Sequence, residues 1–314
     1  MKERFTLVIL AAGMGSRFGG LKQLQALGPD DSTLLDYSLF DAQRAGFTDF
    51  VFVIRPELEA DFERQVASRF KHHLRYRYAY QKADDLPLDL SNQPERQKPW
   101  GTGHALWAAR GQVDTNFGLI NADDFYGREA YETLIRALRE AKPQSDGPDE
   151  AVLVAYPLHR TLSPHGPVSR GVCKVENGKL QELTEYTHIE QHADERIRGV
   201  SGDDTEELAP STPVSLNCFG FTPAFFDLLG KSMQTFLQAP DRNLSKDEFY
   251  LPGAVTEGIQ QDKLRVKVPS TDATWFGMTY RDDLPQVQAR LNSLIAEGIY
   301  PSELWGREAH PGLQ

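Results

Sequence analysis

The chain has 314 residues, 40% apolar and 25% charged, the composition of a globular protein with a sizeable core. Its formal net charge of −11 excludes a general nucleic-acid binder, which would carry a basic footprint, but leaves room for a local cationic pocket that takes a small anion. The N-terminal MKERFTLVIL holds too short an apolar run for a secretory leader or a membrane span, and Cys173 and Cys218 form no CxxC pair. The expectation is a reduced, cytoplasmic protein with no membrane partner, zinc site or disulfide framework.

In chain order, FTLVILAA is a continuous apolar run of the kind a buried parallel strand requires. TLLDYSLFDAQRAG places Leu35, Leu39, Ala42 and Ala45 at helical spacing and closes on Gly46. DFVFVIRP is a second strand, ELEADFERQVASRF a polar amphipathic helix, and HLRYRYAYQ an alternating strand. KADDLPLDLSNQPERQKPWG is a long proline-bearing loop, suited to a lid. GHALWAARG is a helix ending in glycine, and FGLINADDF a buried strand that runs into acidic residues. AVLVAYPL, GVCKVENGKLQELTE and PVSLNCFGF have strand character, with Asn177-Gly178 as a hairpin turn. HIEQHADERIRGVSGDDTEELAPSTP is so charged that a mobile loop is expected, and LPQVQARLNSLIAEG is a closing amphipathic helix.

Alternation of strands and helices predicts an α/β fold: a mixed, mainly parallel central sheet with helices on both faces. Ligands of such sheets bind at the carboxyl ends of the strands, where both AAGMGSRFGG and NADDF fall. Small residues and glycines after the first strand (Leu10, Ala11, Ala12, Gly13 and Gly15) leave backbone N–H groups free to meet a phosphate at close range. Arg17 can hold a phosphate bidentately, and Lys22 adds a compact point charge. Together they fit a triphosphate cradle better than an ordinary glycine-rich turn with two solvated cations. A Walker loop is excluded, since no GKS or GKT follows. A dinucleotide site has Gly13-x-Gly15 and Asp36 at about the right distance for a ribose, but Asp36 falls inside the helical LLDYSL pattern. Asp123 and Asp124, at a strand end, suit a hard cation such as Mg²⁺; the plainer alternative is a turn or N-cap carboxylate pair. No HExxH, Cys/His cluster or GxSxG elbow occurs among the remaining residues.

LAAGMGSRFGGLKQ resembles the LAAGxGxR…K signature of nucleotidyltransferases with a glycosyltransferase-A-like fold, which include the sugar-1-phosphate uridylyl- and thymidylyltransferases. The likeness continues in order through LLDYSL, Gln81 with GTGHALW, INADDFYG, RGVCKVENGKLQELTE and VSLNCFGF. The spacing from Arg17 to Lys22 is closer to that of molybdopterin guanylyltransferase-like members. The resemblance implies a single domain, with a nucleotide-binding half over about 1–150 and an acceptor-binding half over about 151–314. It implies Arg17 and Lys22 on the triphosphate and leaving pyrophosphate, Asp123 on Mg²⁺, Gln81, Gly101 and Gly103 on the base, and Gly171, Glu185 and Asn217 on a sugar. The partners would be a nucleoside triphosphate, UTP as the first expectation, and a sugar 1-phosphate. Two positions depart from the pattern. Gly277 stands where a second metal carboxylate is expected, with Asp272 as a possible substitute, and Tyr186 stands where a lysine would hold the acceptor phosphate. Transfer to a polyol, aminoalcohol or pterin phosphate, a non-catalytic nucleotide-sugar sensor, and a dinucleotide oxidoreductase are the competing readings.

Overall fold

The computed structural model describes residues 3–13, 26–89, 96, 99–141, 147–269, 271–277 and 280–306. Four strands begin the fold: β1 (Thr6–Leu10), β2 (Asp49–Ile54), β3 (Tyr76–Tyr80) and β4 (Phe117–Asn121). They lie in the order β3-β2-β1-β4, all parallel. Between them run α1 (Leu34–Ala45), α2 (Glu59–Gln65) and α3 (Thr102–Ala108). Helix α1 starts on a capping box between Thr33 and Asp36 and ends at Gly46, whose φ of 118° is the left-handed geometry glycine supplies. The longer amphipathic helix expected after β2 is the short α2 with a 3₁₀ turn on either side.

The chain continues through β5 (Asp124–Phe125), α4 (Arg128–Glu140), β6 (Asp149–Pro157), β7 (Val168–Glu176), β8 (Lys179–Gln191), β9 (Ile197–Ser201), β10 (Asp204–Leu208) and β11 (Pro213–Phe221). It ends with α5 (Phe225–Gln238), α6 (Leu251–Gln260), β12 (Leu264–Lys267), β13 (Phe276–Gly277) and α7 (Leu284–Ala296). The large sheet has the order β10-β9-β8-β12-β6-β11-β4-β1-β2-β3, with β7 pairing both β11 and β8, and β13 pairs β5 separately. The sheet is mixed, as expected. Among the described strands its parallel pairings are those of β1 to β4 and of β12 with β6, while hairpins make the second half mostly antiparallel.

Side-chain alternation along the strands divides the core in two. Leu7 and Ile9, Phe50 and Phe52, and Val152 and Val154 join one cluster, with α1 and α4 over it. Val8, Val51 and Val53, and Ala151 and Leu153 join the other, under α3, α5 and α6. Helices therefore cover both faces. The charged stretch expected to be a mobile loop is instead the end of β8 followed by β9 and β10. Ile189, Ile197 and Leu208, spread among its charges, meet Tyr186 and Val214 in a buried satellite cluster. Few apolar residues suffice because each faces inward from an alternating strand.

After α7 the chain returns over α1. Tyr300 Oη donates to Asp41 Oδ2 at 2.6 Å, Trp305 Nε1 to Asp36 Oδ1 at 3.0 Å, and Leu304 N to Asp30 Oδ2 at 2.9 Å. Asp36 also accepts from Arg69 Nε at 3.0 Å and is fully buried, so it is a structural hub and not a ribose ligand. Asp41 is fully enclosed as well; burial pushes its carboxyl up to about 7, although the Tyr300 hydrogen bond opposes this.

Candidate active site

Leu10 and Asn121 are register neighbours on β1 and β4, and Ala122 N donates to Leu10 O at 3.1 Å. The chain thus leaves both strands at one edge of the sheet, which brings the start of the glycine-rich stretch beside Asp123 and Asp124. Leu10 is half-buried, and Ala11 and Ala12 are buried. Gly13 is exposed, and among the described residues no atom lies within 4 Å of where a Cβ would stand. Gly15, Arg17 and Lys22 lie outside the described residues.

The two aspartates differ in their surroundings. Asp124 Oδ2 accepts Asn121 Nδ2 at 2.9 Å and lies 3.2 Å from Tyr126 Oη. Burial, reinforced by Asp123, pushes the Asp124 carboxyl up to about 7, while Asn121, Arg170 and Tyr126 pull the other way. Asp123 is half-buried, and among the described residues nothing hydrogen-bonds its carboxylate. It remains available as a ligand group. Gly277 stands directly across from Asp124 in the β5–β13 pairing, and a Cβ there would sit 2.9 Å from Asp124 Oδ1 and 2.8 Å from Trp275 Cζ2. The position that could carry a second carboxylate is therefore at the site in space but too crowded for a side chain. Asp272 is exposed, and its described contact is its backbone carbonyl, 3.4 Å from Arg160 Nη1.

Asn217 reaches the same cluster. Strand β11 shifts register between Ser215 and Phe219, and Asn217 takes a φ of 60° within that irregularity. Its Nδ2 lies 3.4 Å from Asn121 Oδ1, which completes a chain from Asn217 through Asn121 to Asp124. Gly171 and Glu185 pair across β7 and β8. A Cβ at Gly171 would meet Leu183 Cδ1 at 2.9 Å, so close packing also requires glycine there. Glu185 is open to solvent, yet the protein around it raises its carboxyl, with Arg170 opposing. Tyr186 is buried and donates to Glu206 Oε2 at 2.6 Å, which fastens the β9–β10 hairpin to β8.

The third group of predicted residues surrounds His104. His104 is buried, and its Nε2 lies 3.1 Å from the Asp85 carbonyl, so Nε2 carries the proton. Burial lowers its pKa and keeps it neutral, which leaves Nδ1 to accept from Gln81 Nε2 at 3.1 Å. The same Gln81 nitrogen lies 3.2 Å from Gly101 O. Both Gln81 amide protons are thus directed inward, and Oε1 is its acceptor end. Gly103 N donates to Phe249 O at 2.9 Å, and a Cβ on Gly103 would lie 2.6 Å from the Phe249 ring; Gly101 has φ 97°. Close packing and a positive φ account for these two glycines.

Several participants were not singled out from the sequence. Asn121 and Tyr126 lie in the INADDFYG stretch and hold Asp124. Arg170 is buried beneath Trp275, its guanidinium carbon 4.7 Å from the ring, and faces Asp124 and Glu185. Its position directly before Gly171 was the available signal: a cation entering a strand whose neighbours face inward.

Residues 7–165 match the family model described as the MobA-like NTP transferase domain. No curated protein matches the chain. Among solved structures, a UDP-glucose pyrophosphorylase complexed with UDP-glucose is similar at 14% identity with a TM-score of 0.57, covering 92% of this chain and 99% of its own. A putative glucose-1-phosphate thymidylyltransferase from Bacillus anthracis gives 13% identity and a TM-score of 0.56, over 91% and 94% of the two chains. The inositol-1-phosphate CTP transferase from T. maritima gives 12% and 0.56, over 93% and 97%. At such identities the likeness is one of fold, and it spans both halves of the chain.

Proposed function

The chain belongs to the MobA-like NTP transferase domain family and is a nucleotidyltransferase, and on that premise we propose that it transfers a nucleoside monophosphate from UTP to a sugar 1-phosphate and releases pyrophosphate. The observation that carries this reading is the shared sheet edge where β1 delivers Leu10 to Gly13 and β4 delivers Asp123 and Asp124. In the proposed reaction a phosphate oxygen of the acceptor attacks the α-phosphate, and the bond to pyrophosphate breaks. Such transfers depend on positioning and charge neutralisation. Arg17 and Lys22 neutralise the triphosphate and the departing pyrophosphate. Gln81 Oε1 accepts from the base, which favours a ring that presents an N–H, as uracil does, over cytosine, whose equivalent nitrogen is an acceptor.

The residues fit Mg²⁺. This ion is held by one or two carboxylates together with substrate phosphates, and Asp123 offers one uncommitted carboxylate with Asp124 beside it. Among the described residues no group of three or more His, Cys, Asp or Glu gathers. Bound there, Mg²⁺ would polarise the phosphoryl oxygens. Glu185 and Asn217 orient the acceptor's hydroxyls, with Gly171 keeping the strand close.

Sugar 1-phosphates and inositol 1-phosphate appear in the names of the similar structures, which supports a phosphorylated polyhydroxy acceptor. The engagement of Tyr186 with Glu206 favours a second reading in which the acceptor is another phosphorylated small molecule, because the usual cation at that position is replaced by a strut. Pyrophosphate release with Mg²⁺, across each nucleoside triphosphate paired with sugar 1-phosphates, polyol and aminoalcohol phosphates and a pterin phosphate, tests both. Release that requires UTP and a sugar 1-phosphate is the expected result. Release with a different pair replaces the substrate assignment, and no release with any pair refutes it.

A further inference from the structure

Behind β13 lies a cavity of about 200 Å³, to which the proposed transfer assigns no part. Arg160, Arg170 and Arg290 line it, together with Ser163, Trp275 and a single carboxylate, Asp283. Three arginines converging on one small cavity run against a chain with 34 basic and 45 acidic residues. Among the described residues none of the three forms an ion pair. Asp283 does not supply one: its Oδ1 accepts Ser163 Oγ at 3.0 Å and its Oδ2 accepts Tyr280 N at 2.7 Å.

The cavity's inner wall is pre-organised. Arg170 is 7% exposed and is fixed by Thr161 Oγ1 at 3.3 Å, Ser169 O at 2.7 Å and Thr161 O at 2.5 Å. A guanidinium has five N–H donors, so these three bonds leave two over. Burial draws Arg170 down to about 10, and it stays charged at neutral pH. Trp275 is also 7% exposed and packs over the Arg170 guanidinium, its indole Nε1 shut away from solvent. Among the described residues, the charged groups that line this cavity without an ion pair are the three arginines, while Asp283 has His165 Nε2 4.0 Å away.

We propose that this cavity binds a phosphate-class oxyanion, held by Arg160, Arg170 and Arg290, with the Trp275 ring as part of its wall. A ligand that only accepts hydrogen bonds and carries negative charge suits all three guanidinium groups at once. The volume suits a phosphoryl group with a few further atoms and is too small for a nucleotide. The anion has two possible sources with the same chemistry: free orthophosphate, or an acidic group on a bound acceptor that reaches past Gly277, which lines the cavity and faces Asp124.

The test is binding, so it can fail or succeed independently of transferase activity. The ¹⁵N-labelled full chain has four tryptophans, and the Trp275 indole signal is assigned by its loss in Trp275→Phe. Orthophosphate is titrated at constant ionic strength, with chloride as the control. A saturable shift of the Trp275 signal is expected. In the Arg160→Ala/Arg290→Ala double variant, which changes two exposed side chains, affinity should fall at least about tenfold while the other indole signals hold their positions. No saturable shift beyond chloride, or unchanged affinity in the double variant, overturns the proposal. Glucose 1-phosphate added to the phosphate-saturated protein then separates the sources. Competition at the Trp275 signal assigns the anion to the acceptor, simultaneous binding assigns it to free phosphate, and both uphold the site.

Discussion

Replacing Asp41 by asparagine should make the protein more stable at pH 8, and far less so at pH 4.5. Asp41 is enclosed between α1 and the returning C-terminal segment, where burial raises its carboxyl from the ordinary 3.8 to about 7. Tyr300 donates to it, Arg44 and Arg128 add weak opposing fields, and Glu129 adds to the rise. Below the ordinary carboxylate range both the native and the unfolded chain carry the proton, so the group makes no difference. As pH rises, the unfolded chain releases its proton first and the native state is left at a disadvantage that grows until pH passes about 7. At ~1.4 kcal/mol per tenfold, a separation of this size amounts to about 4 kcal/mol. Asparagine keeps the shape and an oxygen for Tyr300 but cannot ionise. Urea unfolding at a series of pH values, on wild type and Asp41→Asn, measures the term directly. The two stabilities should diverge by a few kcal/mol between pH 4.5 and 8. A constant offset across that range would mean that Asp41 ionises normally, and the argument from burial would be refuted.

Arg17→Ala should lower turnover by about 10² or more with an unchanged melting temperature, since its proposed work is on developing charge; near-normal turnover would sink the cradle. Asp123→Asn should raise the Mg²⁺ concentration needed for half-maximal rate and cut activity together, and an unchanged metal titration would move the metal elsewhere. Gly103→Ala pushes a Cβ to 2.6 Å from the ring of Phe249, so a loss of about 1–3 kcal/mol is expected by chemical unfolding, and a neutral substitution would show that the ring yields. Tyr186→Phe removes the bond to Glu206 and should cost about 1 kcal/mol with little change in acceptor KM; a large rise in KM would make Tyr186 an acceptor ligand.

Where periodicity was strong, the sequence was enough. The apolar runs that became β1, β2, β4 and β6 alternate between two helix-covered faces, and Gly46 closes α1 in the left-handed geometry its position implied. The charged 188–213 stretch misled because its inward residues, Ile189, Ile197 and Leu208, are few and widely spaced, and strand pairing is a property of two segments and not of one. Helices α4, α5 and α6 were not recognised. At the site, motif order indicated Gln81, Asp123, Glu185 and Asn217, but not what each one touches. That Gln81 is oriented by a neutral His104, that Tyr186 is a strut, and that Gly277 is crowded against Asp124 all depend on side chains brought together from distant segments. Arg170 escaped notice for the same reason: its meaning comes from Trp275 and Thr161, one of them more than a hundred residues away.

The return of the C-terminal segment over α1 bears on how the chain is made. Tyr300 closes on Asp41 across 259 residues, and Trp305 on Asp36 across 269. A ribosome adds about 5–20 residues per second, so the first helix waits many seconds with two buried-type carboxylates and an apolar stripe uncovered. Residues 26–36, which lead from the glycine-rich stretch into α1, are fastened by Leu304 and Trp305 only when synthesis is nearly finished. The glycine-rich end of the protein is thus encoded first and its flank secured last. A chain cut short before Tyr300 would retain the whole family signature yet lack the segment that holds its flank in place.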